Sequence, residues 1–129
     1  MRSNAPAPTK LEAERMAAIK EGPCVACWMN DQITLGNEAH HLLSGGIRRG
    51  HRFTVALCQW HHRGVPLENL THRDMRAAFG PAFSEGSKPF RFEFGSDDTL
   101  LRIQDEILKD RDASLAARIA QDDQRRVDQ

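Results

Sequence analysis

Apolar and polar positions alternate along this chain with two different periods, and glycine and proline separate the segments. Residues 10 to 21 (KLEAERMAAIKE) place Leu11, Met16 and Ile19 among good helix formers, which predicts a short helix ended by Gly22 and Pro23. Ala39 to Leu43 and Arg52 to Leu57 are predicted strands, the second (FTVAL) having the β-branched and apolar content of a buried one. A glycine-punctuated loop, SGGIRRG, lies between them. A helix is expected from about Cys58, limited by Gly64 and Pro66. Another is expected over Thr71 to Phe79, with Thr71 as cap and Asp74 three places on.

The stretch SKPFRFEFG at 87 to 95 reads two ways. Phe90, Phe92 and Phe94 alternate as on a strand, whereas Ser87 with Pro89 suits a helix start. The last segment, from Asp97 to about Gln121 with Ser96 as cap, carries a helical stripe of Leu100, Ile103, Ile107, Leu108, Leu115 and Ile119. A break is expected around Asp110 to Ser114. Three parts follow: a disordered tail over 1–9, a core over 10–95, and a helical segment over 96–129 frayed at its end.

Composition narrows the function. The 129 residues carry no net charge and the pI is about 7.0, which excludes a strongly basic nucleic-acid coat. The charge is uneven: residues 1–64 hold 8 Lys/Arg against 5 Asp/Glu, and residues 96–129 hold 6 against 9. Arg48, Arg49 and Arg52 supply much of the basic surplus. Tyrosine is absent, so Leu, Ile, Val and Phe, with Trp28 and Trp60, are expected to form the core. No stretch approaches membrane-spanning length, and an odd count of three cysteines argues against a disulfide framework. A reducing cytoplasm is the expected location.

Those cysteines point to metal. Cys24 and Cys27 form a C-x-x-C, and Cys58 with His61 forms a C-x-x-H after thirty intervening residues. Two half-sites with equal gaps have the layout of a two-knuckle zinc site of three thiolates and one imidazole. Such a structural zinc would staple a hairpin that lacks a large core. Four of the six histidines lie in two doublets, His40–His41 and His61–His62. With His61 turned to zinc on a helix, His62 is rotated by about 100° and faces elsewhere. His40 and His41 face opposite sides of a strand. One strand histidine and His62 would then converge on a second ion, with the other strand histidine beside it as a base.

The order C-x-x-C, HH, glycine loop, strand and LC-x-x-H-H resembles the zinc-bearing HNH nucleases. AHHLLSGG with FTVALCQWHHRG, GSKPF and FGSDDTLL resembles more closely the phage recombination-enhancement nucleases that depend on RecA. The resemblance implies an α+β fold, a small ββα-metal (HNH, or His-Me finger) core flanked by helices. It implies His41 as general base, His40 and His62 as ligands of a catalytic Mg²⁺ or Mn²⁺, and Cys24, Cys27, Cys58 and His61 as the structural zinc shell. Phe53 and Thr54 stand where the asparagine of the HNH name is expected, with Thr54 its nearest substitute. His51 and His72 are candidates for a third ligand of the catalytic ion. Arg48, Arg49, Arg52 and Arg63 are expected on DNA phosphates. The implied substrate is single-stranded or D-loop DNA, with a RecA filament as partner. The alternative is a non-catalytic zinc-knuckle module binding DNA or protein, or a structural zinc protein of phage assembly, with no use for His41.

Overall fold

The computed structural model describes residues 7–34, 37–44, 47–48 and 50–127, the side chains at 43–44, 47–48 and 126–127 excepted. Helix α1 (Lys10–Glu21) starts at a reciprocal cap. Thr9 Oγ1 accepts the Glu12 N–H, and Glu12 accepts the Thr9 N–H. Asn37 fastens the other end of α1 to the strand that follows, donating from Nδ2 to the carbonyls of Gly22 and Thr34. Between them lies α2 (Val25–Met29), one turn of helix with Cys24 as its cap.

Strand β1 (Glu38–His41) pairs antiparallel with β4 (Thr54–Leu57), His40 opposite Val55 and His41 opposite Thr54. A minor hairpin, β2 (Leu43–Ser44) with β3 (Ile47–Arg48), fills the connection. Alternation assigns Glu38, His40, Val55 and Leu57 to one face and Ala39, His41, Thr54 and Ala56 to the other. Helix α3 (Gln59–Arg63) follows β4 directly. It ends at Gly64, whose φ of 71° is left-handed, and a Cβ there would meet Ser84 Oγ at 2.8 Å.

Next come α4 (His72–Phe79), capped by Thr71 and Asp74 as expected, a 3₁₀ turn (Phe83–Glu85) and α5 (Ser87–Phe94). The ambiguous 87–95 stretch is therefore helical. In a helix, Phe90 and Phe94 share a face and are buried, whereas Phe92 points outward and is 92 % exposed. Phe92 and the half-exposed Trp28 thus depart from the expected core, while Trp60 is buried at its centre.

Helix α6 (Asp97–Val127) runs unbroken for 31 residues, roughly 46 Å. The break expected near Asp110 does not occur. No glycine or proline interrupts 97–127, and Arg111 reaches Glu21 on α1 at 3.3 Å. The first half of α6 closes the edge of β4 that β1 leaves open. Gln104 is buried and its Oε1 accepts the Ala56 N–H at 2.7 Å. Two residues back on the same edge, Arg15 Nη2 from α1 donates to the Thr54 carbonyl at 2.8 Å. These two outward-facing backbone groups are thus satisfied by side chains, which leaves less of the edge open to pairing with another chain. The core includes Val55, Leu57, Trp60, Met75, Phe90 and Leu100. Among the described residues, no helix is long and apolar enough to cross a membrane.

Candidate metal centre and histidine cluster

Two one-turn helices, α2 and α3, begin with a cysteine whose sulfur accepts a backbone N–H three residues on. Cys24 Sγ receives the Cys27 N–H and Cys58 Sγ the His61 N–H, both at 3.5 Å. Each knuckle presents its two side chains inward, and the four ligand atoms of Cys24, Cys27, Cys58 and His61 lie within 4.8 Å of one another, all buried. His61 Nδ1 stands 3.5 Å from Cys24 Sγ, 3.5 Å from Cys27 Sγ and 3.3 Å from Cys58 Sγ, and the Cys27 and Cys58 sulfurs are 3.9 Å apart. A tetrahedral zinc with bonds of about 2.3 Å to sulfur and about 2.0 Å to nitrogen requires edges of roughly 3.8 and 3.5 Å. The donor set and its spacing fit a structural zinc.

The surroundings support the same assignment. His61 Nε2 donates to the Phe79 carbonyl at 2.7 Å, which fixes the ring and leaves the Nδ1 lone pair for a cation. Thr34 Oγ1 donates to Cys27 Sγ at 3.2 Å. Without a cation the cluster is electrostatically awkward. Burial pushes the Cys24 thiol far up, while hydrogen bonds from Cys24 and Cys27 hold Cys58 far down. Burial alone would lower His61, but its bonds to Cys27, Cys58 and the Phe79 carbonyl outweigh this and push it up to about 9. The metal-free pocket therefore keeps protons on Cys24 and His61 that a dication would displace.

The second cluster is more open. His40 on β1 and His62 on α3 meet edge to face with ring centroids 5.0 Å apart, and Phe83 backs His40 at 4.6 Å. His41 points to the other face of β1, where its Nε2 lies 3.1 Å from His51 Nδ1. His72, the other candidate third ligand, stands exposed at the start of α4 against the Trp60 ring. Among the described residues, His40 and His62 gain no third ligand atom as close as those of the cysteine cluster.

Glu38 escaped sequence reasoning. Its Oε1 accepts from His62 Nδ1 at 3.0 Å and from Arg63 Nε at 2.9 Å. Burial would raise its pKa, but the bonds from His62 and Arg63 prevail and hold it below the ordinary carboxylate range. The available signal was strand alternation, which puts position 38 on the face of position 40. The guanidinium of Arg63, expected on phosphate, is thus tied to Glu38 and half exposed. Arg52 is exposed, its guanidinium 5.7 Å from the centre of the Phe53 ring. Arg49 and the side chain of Arg48 lie outside the described residues.

The sequence model of a family described as "Recombination enhancement, RecA-dependent nuclease" matches residues 8–109. That span takes in α1, both metal half-sites, both histidine doublets and the first part of α6.

Proposed function

Because the chain belongs to the recombination-enhancement, RecA-dependent nuclease family, we propose that it is a metal-dependent DNA endonuclease of the HNH type. In this reading β1, β4 and α3 form the ββα core, and the Cys24–Cys27–Cys58–His61 zinc is structural. The observation that carries it is the meeting of His40 and His62 across β1 and α3, with His62 next along the chain from the buried ligand candidate His61.

His40 and His62 would hold the catalytic ion. Glu38 accepts the proton on His62 Nδ1, so His62 offers Nε2, and the carboxylate keeps that ring oriented. A divalent ion, Mg²⁺ or Mn²⁺, supplies Lewis-acid stabilisation of the phosphate and leaving 3′ oxygen when bound there. His41 acts as general base, taking a proton from the water that attacks phosphorus. Arg48, Arg49 and Arg52 contribute phosphate contacts. A neutral net charge fits weak intrinsic affinity for DNA, because salt-sensitive binding scales with the phosphates neutralised. Delivery by a RecA filament to single-stranded or D-loop DNA would compensate. The setting is the cytoplasm of a bacterial host of a phage or prophage.

The test is His41→Ala in the zinc-loaded protein, assayed on single-stranded and D-loop DNA with Mg²⁺ or Mn²⁺, with and without RecA and ATP. Cleavage should disappear with zinc content and folding unchanged. A wild-type protein that cuts nothing under any of these conditions would sink the enzyme reading.

A further inference from the structure

We propose that His51 is a positioning residue for His41, and that it is held in turn through Thr54 and Arg15 by Asp105 on α6. The inference rests on the reading of His41 as the base. Four contacts carry it: His41 Nε2 to His51 Nδ1 at 3.1 Å, Thr54 Oγ1 to the His51 carbonyl at 3.0 Å, Arg15 Nε to Thr54 Oγ1 at 3.4 Å, and Arg15 Nη1 to Asp105 Oδ1 at 2.7 Å.

The directions of these bonds follow from the donors available. A hydroxyl has one hydrogen, so Thr54 gives it to the His51 carbonyl and accepts from Arg15. Thr54 is fully buried and pairs in register with His41. Its β-branched side chain has little rotamer freedom there. Arg15 grips the same residue twice, because its Nη2 also donates to the Thr54 carbonyl at 2.8 Å. The backbone that bears His51 is thus pinned from α1 and α6.

Between two neutral imidazoles, one nitrogen must donate and the other accept. A base needs its lone pair on the nitrogen that takes the proton. If His41 donates from Nε2, its lone pair is held on Nδ1, and His51 accepts on Nδ1 while carrying its own proton on Nε2. His51 then selects the tautomer and the rotation of His41 together. Asparagine is the informative replacement, because its Oδ1 projects from the same branch position as His Nδ1 and is also an acceptor.

Full-length, zinc-loaded His51→Ala, His51→Asn, Thr54→Val and His41→Ala proteins should be compared with wild type. Two readouts are needed: single-turnover cleavage of RecA-coated single-stranded DNA with Mn²⁺, and the ¹⁵N tautomer signature of His41 without DNA. Wild type should show His41 as the Nε2–H tautomer. His51→Ala should mix the tautomers and slow cleavage by about 10- to 100-fold with half-saturating DNA nearly unchanged, while His51→Asn restores both. Thr54→Val should give a smaller loss in the same direction. The proposal is overturned if His51→Ala leaves the tautomer of His41 unchanged, or if His51→Asn is as slow as His51→Ala. If His51→Ala fails to retain zinc, the tautomer and rate of His51→Asn decide alone. Wild-type cleavage by His41→Ala would instead remove the base reading, and the tautomer readout would still judge the His51–His41 contact.

Discussion

The rings of His40 and His62 meet edge to face, with centroids 5.0 Å apart, although 22 positions separate them in sequence. One lies on the first strand and the other on the last turn of the helix after β4, so the β1–β4 register determines the encounter. His40→Ala and His62→Ala should each lower cleavage by two or more orders of magnitude, on the scale of losing several kcal/mol of charge stabilisation. Zinc content should stay at one per chain, because the His61 side chain lies elsewhere on α3. Cleavage rates beside elemental analysis separate the two sites. A parallel loss of zinc would mean that the clusters are not independent.

The zinc shell makes a different prediction. Cys24, Cys27 and His61 are fully buried and Cys58 nearly so. Together they join the α2 knuckle to α3, and His61 also holds the end of α4 through Phe79. Cys24→Ser or Cys58→Ser, or removal of zinc by a strong chelator, should unfold much of the domain and not merely silence it. Circular dichroism during chelation, with zinc added back, checks this. A stripped protein that keeps its wild-type melting profile would contradict it.

Zinc retention should depend on pH in a defined direction. In the metal-free protein His61 is raised from 6.5 to about 9. Its protonation therefore contributes stability that is fully present below 6.5 and is lost as pH rises through about 9. Zinc needs the same Nδ1 without its proton, so its affinity runs the opposite way. From this residue alone, affinity should fall by about tenfold for each unit of pH below 9, and the burial-raised thiol of Cys24 adds to the slope. Competition with a chromophoric chelator across pH 6 to 9 measures it. A flat profile would mean that no proton leaves His61 on binding.

Glu38 should tune the reaction without holding the fold. Glu38→Gln keeps the shape and an acceptor oxygen but removes the charge shared by His62 and Arg63. The loss in cleavage should be about 10- to 100-fold, typical of partners behind a metal ligand. The melting temperature should move little, because Glu38 is about a third exposed and such ion pairs add little to stability. A large melting shift with normal cleavage would reverse this assignment.

What could be read from the sequence was local. Each half of the Cys24–Cys27–Cys58–His61 cluster was legible because it lies within one turn, whereas the meeting of the two halves, more than thirty residues apart, depends on the fold. The caps at Thr71 and Ser96 were legible for the same reason. The side of α5 that faces inward was not, since Phe90, Phe92 and Phe94 fit two periods until packing selects the helix. Glu38, His51, Arg15 and Asp105 were harder still: their partners lie 10 to 90 residues away. Only the fold brings these groups to their partners.

Gln104 tests how far α6 belongs to the structure that holds the site. It is a buried amide on a helix that is otherwise charged on its outer side, and its Oε1 accepts the Ala56 N–H at 2.7 Å. Gln104→Leu is close in volume but leaves that buried N–H without an acceptor, a cost of about 1–3 kcal/mol. Thermal melting should fall by several degrees. Because Ala56 lies on β4, which pairs with the histidine strand β1 and leads into Cys58, amide exchange should quicken along β4 in the same variant. Unchanged melting and exchange would show that Gln104 does not brace the strand.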